Sequence, residues 1–358
     1  MEFESIRYME WFKSRPRVRY DLCRSGVESV PLAEFGLDWS GMELTGENFY
    51  GYVPLLREIA GRFGVKEENV VCTLGTSQAL FLACAALISP GDRVLVEKPA
   101  YEPLVAVPRV FGAEVVRFER RYEEAFGVDI DDLEKKLAVR TRLVILTNLH
   151  NPSGSRLPSP AVRDIARICR QAGASVIVDE IYFEFIDGLE RRTDFDADNG
   201  LVSISSLTKV FGLGGLRCGW ALASAELAGR MRRIIDHTNV EGVYIGERIA
   251  AALFPSLERV RERSRERVRA NLALVRDFFR GRSDISWVEP DGGVVGFPRV
   301  EGQLGGDRLA ERLVNNFETA VVPGRFFEDP RHFRFSFGGR TDILAAALEN
   351  IGRALAHQ

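Results

Sequence analysis

Six apolar runs rich in β-branched residues lie between positions 70 and 224, and helix-favouring stretches separate them. The runs cover residues 70–73, 93–96, 114–118, 143–147, 175–178 and 201–205. Strands that are apolar on both faces and alternate with helices are typical of a parallel sheet covered by helices on each side. The pattern therefore predicts an α/β fold whose large domain has three layers around a mainly parallel sheet.

Beyond position 224 the pattern changes to long helices and short strands. Helices are predicted over 225–237 and 256–279, followed by short elements over 285–288, 293–297, 307–317, 321–322, 333–337 and 342–356. This mixture predicts a smaller α+β domain. We expect an N-terminal arm over 1–45 that packs with the small domain, a large domain over 46–237 and the small domain over 238–358.

Composition narrows the class of protein. The chain has 358 residues, 46% of them hydrophobic, which is enough for a large core and two domains. A net charge of −3 without a long basic block argues against a nucleic-acid partner. No apolar run reaches the roughly 18 residues of a membrane span, and residues 1–19 lack the apolar core of a secretory signal. The five cysteines form no Cys-x-x-Cys and the four histidines are scattered, so we expect free thiols, no metal site and a cytoplasmic location.

A lysine and an arginine enclose a glycine-rich loop in the segment SLTKVFGLGGLR, which contains Ser206, Lys209 and Arg217. Such a lysine can form an imine with pyridoxal phosphate while the arginine holds the phosphate. For the lysine taken alone, a solvated surface amine is the alternative.

Two polar residues follow predicted strands at their carboxyl ends, where open α/β sheets bind ligands. Asp179 ends the run 175–178, and its carboxylate can keep the pyridine nitrogen of the cofactor protonated. Asn151 lies in the turn NPSG after the run 143–147, where its amide can donate to the phenolate oxygen of the cofactor. Each has a structural alternative, a helix cap for Asp179 and an ordinary turn for Asn151.

Gly75, Thr76 and Ser77 separate the run 70–73 from an apolar helical stretch over 78–87. The glycine lets the backbone approach a ligand, and a helix that opens here presents free N–H groups and a hydroxyl to a phosphate. An ordinary N-terminal helix cap is the alternative.

Taken in order, these motifs resemble those of one enzyme family. They are GTS at 75–77, the aromatic Tyr101, NPSG at 151–154, DEIY at 179–182, and SLTK at 206–209 followed by Arg217. From about residue 20 to about residue 338 the chain resembles the fold type I pyridoxal-phosphate enzymes of the class I/II aminotransferase group. The resemblance implies that Lys209 forms the Schiff base, assisted in catalysis by Asp179 and Tyr182. The implied cofactor contacts are Gly75, Thr76, Ser77, Tyr101, Asn151, Asp179, Tyr182, Ser206, Lys209 and Arg217.

The same resemblance implies contacts to substrate and to a second subunit. Arg334, in the apolar run 333–337, would grip the α-carboxylate of the substrate, and a buried arginine needs such a partner. Asn151 and Gly26 would also line the substrate site. Either Tyr50 or Tyr52 would reach the phosphate of the neighbouring subunit, which implies a homodimer.

The predicted function is that of an aminotransferase, which moves an amino group between an amino acid and a 2-oxo acid. Lys209 would move the proton between the substrate Cα and the cofactor. A lyase or cyclase that eliminates or replaces a β- or γ-substituent is the alternative, because the same motifs serve it. A cofactor-binding regulatory domain is a remote alternative, disfavoured because no DNA-binding extension precedes Tyr20. The amino acid substrate is not predicted.

Overall fold

The computed structural model describes residues 3–356 except 139, 187 and 190. Its strands are β1 (Tyr20–Asp21), β2 (Val70–Thr73), β3 (Arg93–Lys98), β4 (Glu114–Glu119), β5 (Thr141–Thr147), β6 (Ser175–Asp179), β7 (Leu201–Ser206), β8 (Gly219–Leu222), β9 (Ile285–Ser286), β10 (Val295–Gly296), β11 (Arg299–Val300), β12 (Thr319–Ala320), β13 (Val322–Pro323) and β14 (Phe333–Ser336). Its helices are α1 (Arg7–Ser14), α2 (Val53–Phe63), α3 (Thr76–Leu87), α4 (Glu102–Val110), α5 (Ile130–Lys136), α6 (Ser159–Gln171), α7 (Ala225–Ile235), α8 (Tyr244–Leu253), α9 (Leu257–Phe279), α10 (Gly305–Phe317) and α11 (Thr341–Ala356).

Strands β2 to β8 form one seven-stranded sheet in the order β2-β8-β7-β6-β5-β3-β4. Neighbouring strands are parallel from β7 to β4, whereas β8 runs antiparallel to both β2 and β7. The predicted α/β class with a mainly parallel sheet is confirmed. The apolar pattern does not predict β8. A loop connects β7 to β8, so β8 pairs with β7 as an antiparallel neighbour and does not follow a crossover connection as a parallel strand would.

Alternate residues of the central strands pack against helices on opposite faces of the sheet. In β5, Leu143 and Ile145 pack with α3, α4 and α7, whereas Val144 and Leu146 pack with α5 and α6. Because both faces of the sheet are covered by helices, β5 is apolar from residue 143 to residue 146. Each of these side chains contributes about 1.5–3 kcal/mol to stability on burial. Polar side chains that contact a ligand can therefore be placed only at the strand ends.

Strands β9, β10, β11, β13 and β14 form small sheets in the C-terminal third of the chain. β14 pairs with β10 and β13, β9 pairs with β11, and α9, α10 and α11 pack over them. The N-terminal arm joins this part, because β1 pairs in parallel with β12 and places Tyr20 opposite Thr319. The domain limits at 45 and 237 stay a prediction. Among the helices that the structure describes, none combines the length and the apolar character needed to cross a membrane.

Candidate active site

Polar residues gather at the carboxyl edge of the sheet, where β5, β6 and β7 end. Thr147 at the end of β5 lies beside Asp179 at the end of β6, and Asp179 lies beside Ile204 of β7. Asn151 follows β5 and Lys209 follows β7. The edge thus brings three of the predicted site residues, Asn151, Asp179 and Lys209, to the place where such sheets bind ligands.

The amine of Lys209 is partly buried at this edge. Its Nζ donates a hydrogen bond to Oγ of Ser25, from the N-terminal arm, over 3.1 Å. Burial and the positive charge of Arg334 lower the pKa of Lys209 to about 8, although the Asp179 carboxylate opposes the shift. An appreciable fraction of the lysine is therefore neutral near pH 7, as a nucleophilic amine requires.

Asp179 is almost fully buried. Its Oδ1 accepts a hydrogen bond from the backbone N–H of Ile181 over 3.0 Å. Desolvation raises the pKa of Asp179 to about 7, against the effects of this hydrogen bond and of Lys209. A cationic ring nitrogen beside the carboxylate would favour its charged form, so Asp179 can bind such a group.

The N-terminus of α3 forms a cradle from Gly75, Thr76 and Ser77. Gly75 has a φ of 88°, which side chains rarely adopt, and a Cβ there would lie 2.7 Å from Nη2 of Arg217, so a side chain would displace the arginine. The hydroxyl of Thr76 is buried and has no hydrogen-bond partner among the residues described, whereas Ser77 is exposed. The first N–H groups of a helix also have no carbonyl one turn earlier. These unused groups fit a phosphate.

Ser206 and Arg217 adjoin this cradle. Gly219 pairs with Ser206 across β7 and β8, and a Cβ on Gly219 would lie 2.6 Å from Cα of Gly75. The Ser206 hydroxyl donates to Oγ1 of Thr208 over 3.0 Å. Nη2 of Arg217 donates to the Leu74 carbonyl over 2.7 Å. Both predicted phosphate ligands are therefore next to the start of α3.

Arg334 is buried in β14, and the residues around it come from distant parts of the chain. Its Nη1 donates to Oδ1 of Asn151 over 3.0 Å. Its Nη2 donates to the Tyr8 hydroxyl over 2.9 Å and to the Cys23 carbonyl over 3.1 Å. The guanidinium also lies 5.1 Å from the ring centroid of Phe327. These contacts fix the planar fork that would bind a carboxylate.

A buried ion pair is connected to Arg334 through a chain of hydrogen bonds. The side chains of Glu97 and Arg120 are fully buried, and Nη1 of Arg120 lies 2.8 Å from Oε2 of Glu97. Oε1 of Glu97 accepts from the Thr147 backbone N–H over 2.8 Å and from its hydroxyl over 2.6 Å. The Thr147 hydroxyl oxygen in turn accepts from the backbone N–H of Asn151 over 2.9 Å. The pair is therefore linked to Arg334 through Thr147 and Asn151.

Two tyrosines and a glycine complete the predicted contacts near Lys209. Tyr182 is buried, and desolvation raises the pKa of its phenol to about 12, whereas the nearby Ser25 hydroxyl lowers it. Tyr101 precedes α4 and packs edge-on against Tyr8, with ring centroids 5.7 Å apart. Gly26 lies against Lys209, since a Cβ there would be 3.3 Å from Cδ of the lysine.

Tyr50 and Tyr52, predicted to reach a second subunit, make contacts within this chain. The Tyr50 hydroxyl donates to Oδ2 of Asp236 over 2.9 Å, and 41% of the residue is exposed. The ring of Tyr52 packs edge-on against Tyr244, with centroids 5.6 Å apart. Their cross-subunit role stays a prediction.

A family model described as aminotransferase class I and II matches residues 41–351. The chain belongs to this family. Capreomycidine synthase of Streptomyces vinaceus is 32% identical over 292 residues, which cover 79% of this chain and 74% of that protein. Aspartate aminotransferase of Thermotoga maritima is 26% identical over 310 residues, 84% of this chain and 81% of that protein. The crystal structure of the PLP-dependent cyclase OrfR has a TM-score of 0.90 at 27% identity, over 100% of this chain and 98% of that one.

Membership of the aminotransferase class I and II family confirms the predicted fold type I architecture and the enzyme class, a pyridoxal-phosphate-dependent aminotransferase. The residues at the sheet edge fit this cofactor. The buried Thr76 hydroxyl without a partner suits a phosphate, Asp179 suits a cationic ring nitrogen, and the partly neutral Lys209 suits an aldehyde.

The sequence did not indicate that Tyr8 contacts Arg334 or that Ser25 contacts Lys209, although Ser25-Gly26 resembles the substrate-side glycine loop of the family. Tyr8 hydrogen bonds to Arg334, and Ser25 hydrogen bonds to Lys209. Both lie in the arm, more than 180 positions from their partners, so no local motif connects them. The available signal was the position of Ser25 next to Gly26, which was expected to line the substrate site.

Proposed function

We propose that this chain transfers an amino group between an amino acid and a 2-oxo acid, with pyridoxal phosphate bound covalently to Lys209. One observation supports this most strongly. The edge of the sheet places an amine with a pKa of about 8 beside both the Asp179 carboxylate and the guanidinium of Arg334. A nucleophilic amine, an anion for a ring nitrogen and a cation for a carboxylate are the groups that this reaction needs.

The cofactor supplies an electron sink that stabilises negative charge at the Cα atom of the amino acid. Lys209 holds the cofactor and, once free, moves the proton at Cα, which a lysine can do because its lowered pKa leaves part of it neutral. Asp179 would bind the ring nitrogen as an anion. Arg334 would bind the α-carboxylate and orient the substrate. Tyr182 and Asn151 would hold the ring oxygen, and Tyr101 would pack on the ring face.

The phosphate would be held by the cradle at the start of α3. Thr76 offers an unused hydroxyl, and Gly75 leaves room for the phosphate to approach the backbone. A helix N-terminus stabilises an anion by roughly 0.3–1 kcal/mol at an exposed site and more when it is partly buried. Ser77, Ser206 and Arg217 complete the proposed set of phosphate ligands.

We also propose a homodimer in which Tyr50 or Tyr52 of each subunit completes the site of the other. Several apolar side chains in the segments 37–53 and 240–243 are exposed, which favours burial against a second copy. They are Leu37, Leu44, Phe49, Val53, Val240 and Val243. We expect the division into arm, large domain and small domain to follow the limits at 45 and 237, and the enzyme to act in the cytoplasm.

A second reaction class is favoured by two of the relatives. Capreomycidine synthase and the cyclase OrfR are both similar to this chain over most of its length. The residues that hold a cofactor and a carboxylate serve cyclisation or elimination as well as transamination. The two classes differ in products, since transamination converts the cofactor to its amine form and releases a 2-oxo acid.

A panel of amino acids, each mixed with the purified protein, tests the proposal. We expect at least one to convert the visible absorbance band to that of the pyridoxamine form and to release a 2-oxo acid. Borohydride should trap the cofactor on the peptide that contains Lys209. Lys209→Ala should abolish this label, whereas the exposed control Lys66→Ala should keep it. A label on another lysine would contradict the assignment, and release of a cyclised or eliminated product without a 2-oxo acid would favour the second class.

A further inference from the structure

Three consecutive residues of the N-terminal arm contact Lys209 at three different points. The backbone N–H of Val27 donates to the Lys209 carbonyl over 3.1 Å. The aliphatic stem of the lysine packs on Gly26, where a Cβ would lie 3.3 Å from Cδ. Oγ of Ser25 accepts a hydrogen bond from Nζ over 3.1 Å. Of these three residues, Ser25 is the one that touches the reacting atom.

The Ser25 hydroxyl contacts a second group of the site. It lies close enough to the buried Tyr182 phenol to lower the pKa of that group, against the larger effect of desolvation. A hydroxyl has one hydrogen to donate and two lone pairs to accept. Ser25 can therefore accept from the lysine and donate to the tyrosine at the same time, so that one side chain connects the amine with the phenol.

We propose that Ser25 is a positioning residue that holds the free amine of Lys209 and connects it to the hydroxyl of Tyr182. The inference rests on the proposed role of Lys209 as the proton-moving group. A lysine side chain is a flexible stem with a charge at its end, and a misplacement of 1 Å at a reacting group costs about 10²-fold in rate. A fixed acceptor at Nζ therefore contributes to catalysis without contacting the substrate.

Charged groups from four separate elements also act on the amine. Arg334 in β14, Arg217 after the glycine-rich loop and Arg24 in the arm each lower the pKa of Lys209, whereas Asp179 at the end of β6 raises it. Ser25 is a neutral acceptor among them. An acceptor favours the ammonium form, because its oxygen forms a stronger hydrogen bond with the positively charged group than with the neutral amine. Removal of the Ser25 oxygen should therefore lower the pKa of Lys209 further.

Trace labelling of the full-length apoprotein with acetic anhydride measures this effect directly. The labelling rate of the Lys209 peptide follows the neutral fraction of the amine, and the exposed Lys66 serves as the internal standard. We expect half-maximal labelling near pH 8 for the wild-type chain. Ser25→Ala should move this midpoint down by about half a pH unit, a roughly threefold rise in neutral amine at pH 7. Ser25→Thr keeps the hydroxyl and should behave as the wild-type chain.

Ser29→Ala is the matched control, because Ser29 is an exposed serine of the same arm. An unchanged midpoint in Ser25→Ala, or an equal shift in Ser29→Ala, would overturn the proposal. In the holoenzyme, Ser25→Ala should lower kcat roughly tenfold with little change in KM, since Arg334 still binds the carboxylate. A raised KM at unchanged kcat would instead make Ser25 a substrate contact and overturn its positioning role. The labelling requires no substrate, so failure of the transamination assay would count against the proposed function alone.

Discussion

Replacing Arg120 with methionine should destabilise the protein strongly. The change removes the hydrogen bonds of Arg120 to Glu97 over 2.8 Å, to the Thr147 carbonyl over 3.2 Å and to the Phe126 carbonyl over 2.6 Å. It also leaves Glu97 fully buried without its cation. Removing one partner of a buried ion pair costs about 3–5 kcal/mol. We expect the free energy of unfolding of Arg120→Met to fall by about this amount at pH 7.5.

The loss should depend on pH in a defined direction. Burial raises the pKa of Glu97 even with Arg120 present, and the rise is larger once the arginine is gone. Above the unfolded value of about 4.3, the folded variant then binds more protons than the unfolded chain. Its free energy of unfolding therefore falls as pH rises. The deficit relative to the wild-type protein should be smaller at pH 5 than at pH 7.5.

Urea unfolding followed by tryptophan fluorescence measures both effects. Arg121→Met is the control, because Arg121 is the exposed neighbour paired with Glu124 over 3.1 Å, and surface pairs contribute about 0–1 kcal/mol. Adding Glu97→Gln to Arg120→Met should recover part of the loss by removing the buried charge. A loss below about 1 kcal/mol at pH 7.5, or an equal loss at both pH values, would refute the reasoning.

Three further predictions concern the cofactor and substrate contacts. Asp179→Asn should lose more than tenfold in kcat while cofactor affinity, measured by equilibrium dialysis, changes little; a rate within about threefold of wild type would remove Asp179 from the ring nitrogen. Arg334→Lys should weaken substrate binding by about 1.5–3 kcal/mol with an unchanged cofactor spectrum, and an equal loss for an amine without a carboxylate would show a structural role. Gly75→Ala should weaken cofactor binding at least tenfold by displacing Arg217, whereas Gly173→Ala, also at positive φ but with open space around it, should bind the cofactor normally.

The large sheet could be predicted because its signal is local. The runs at 70–73, 175–178 and 201–205 coincide with strands β2, β6 and β7 to within one residue. Each is buried on both faces, so most of its side chains are apolar. Helices α2 and α8 were not predicted, because their amphipathic stretches are short and lie beside glycines and aromatic residues that also suit loops.

The candidate site could be predicted in part for the same reason. Asp179 ends a strand, and Asn151 and Lys209 lie in the segments that follow strands, so the local sequence places all three at the carboxyl edge. The contacts of Tyr8 and Ser25 depend on the return of the arm to the sheet after the whole large domain has formed. No periodicity within the arm encodes that return, since β1 contains only two residues. The contacts of Tyr8 and Ser25 could therefore be found only from the three-dimensional structure.

The contacts around Arg334 have a consequence for the order of folding. Its hydrogen bonds reach Tyr8 and Cys23, which are 326 and 311 positions earlier in the chain. All strands of the central sheet lie before residue 223, so that sheet can form during synthesis. The contacts of Arg334 with Tyr8 and Cys23 join residues far apart in the chain, so they cost loop-closure entropy and form late. Only a finished chain can then present the complete carboxylate site. A substrate that binds this site therefore stabilises the completed protein by mass action, but it does not stabilise folding intermediates that lack the site. The supply of amino acid would then influence how much newly made enzyme survives proteolysis.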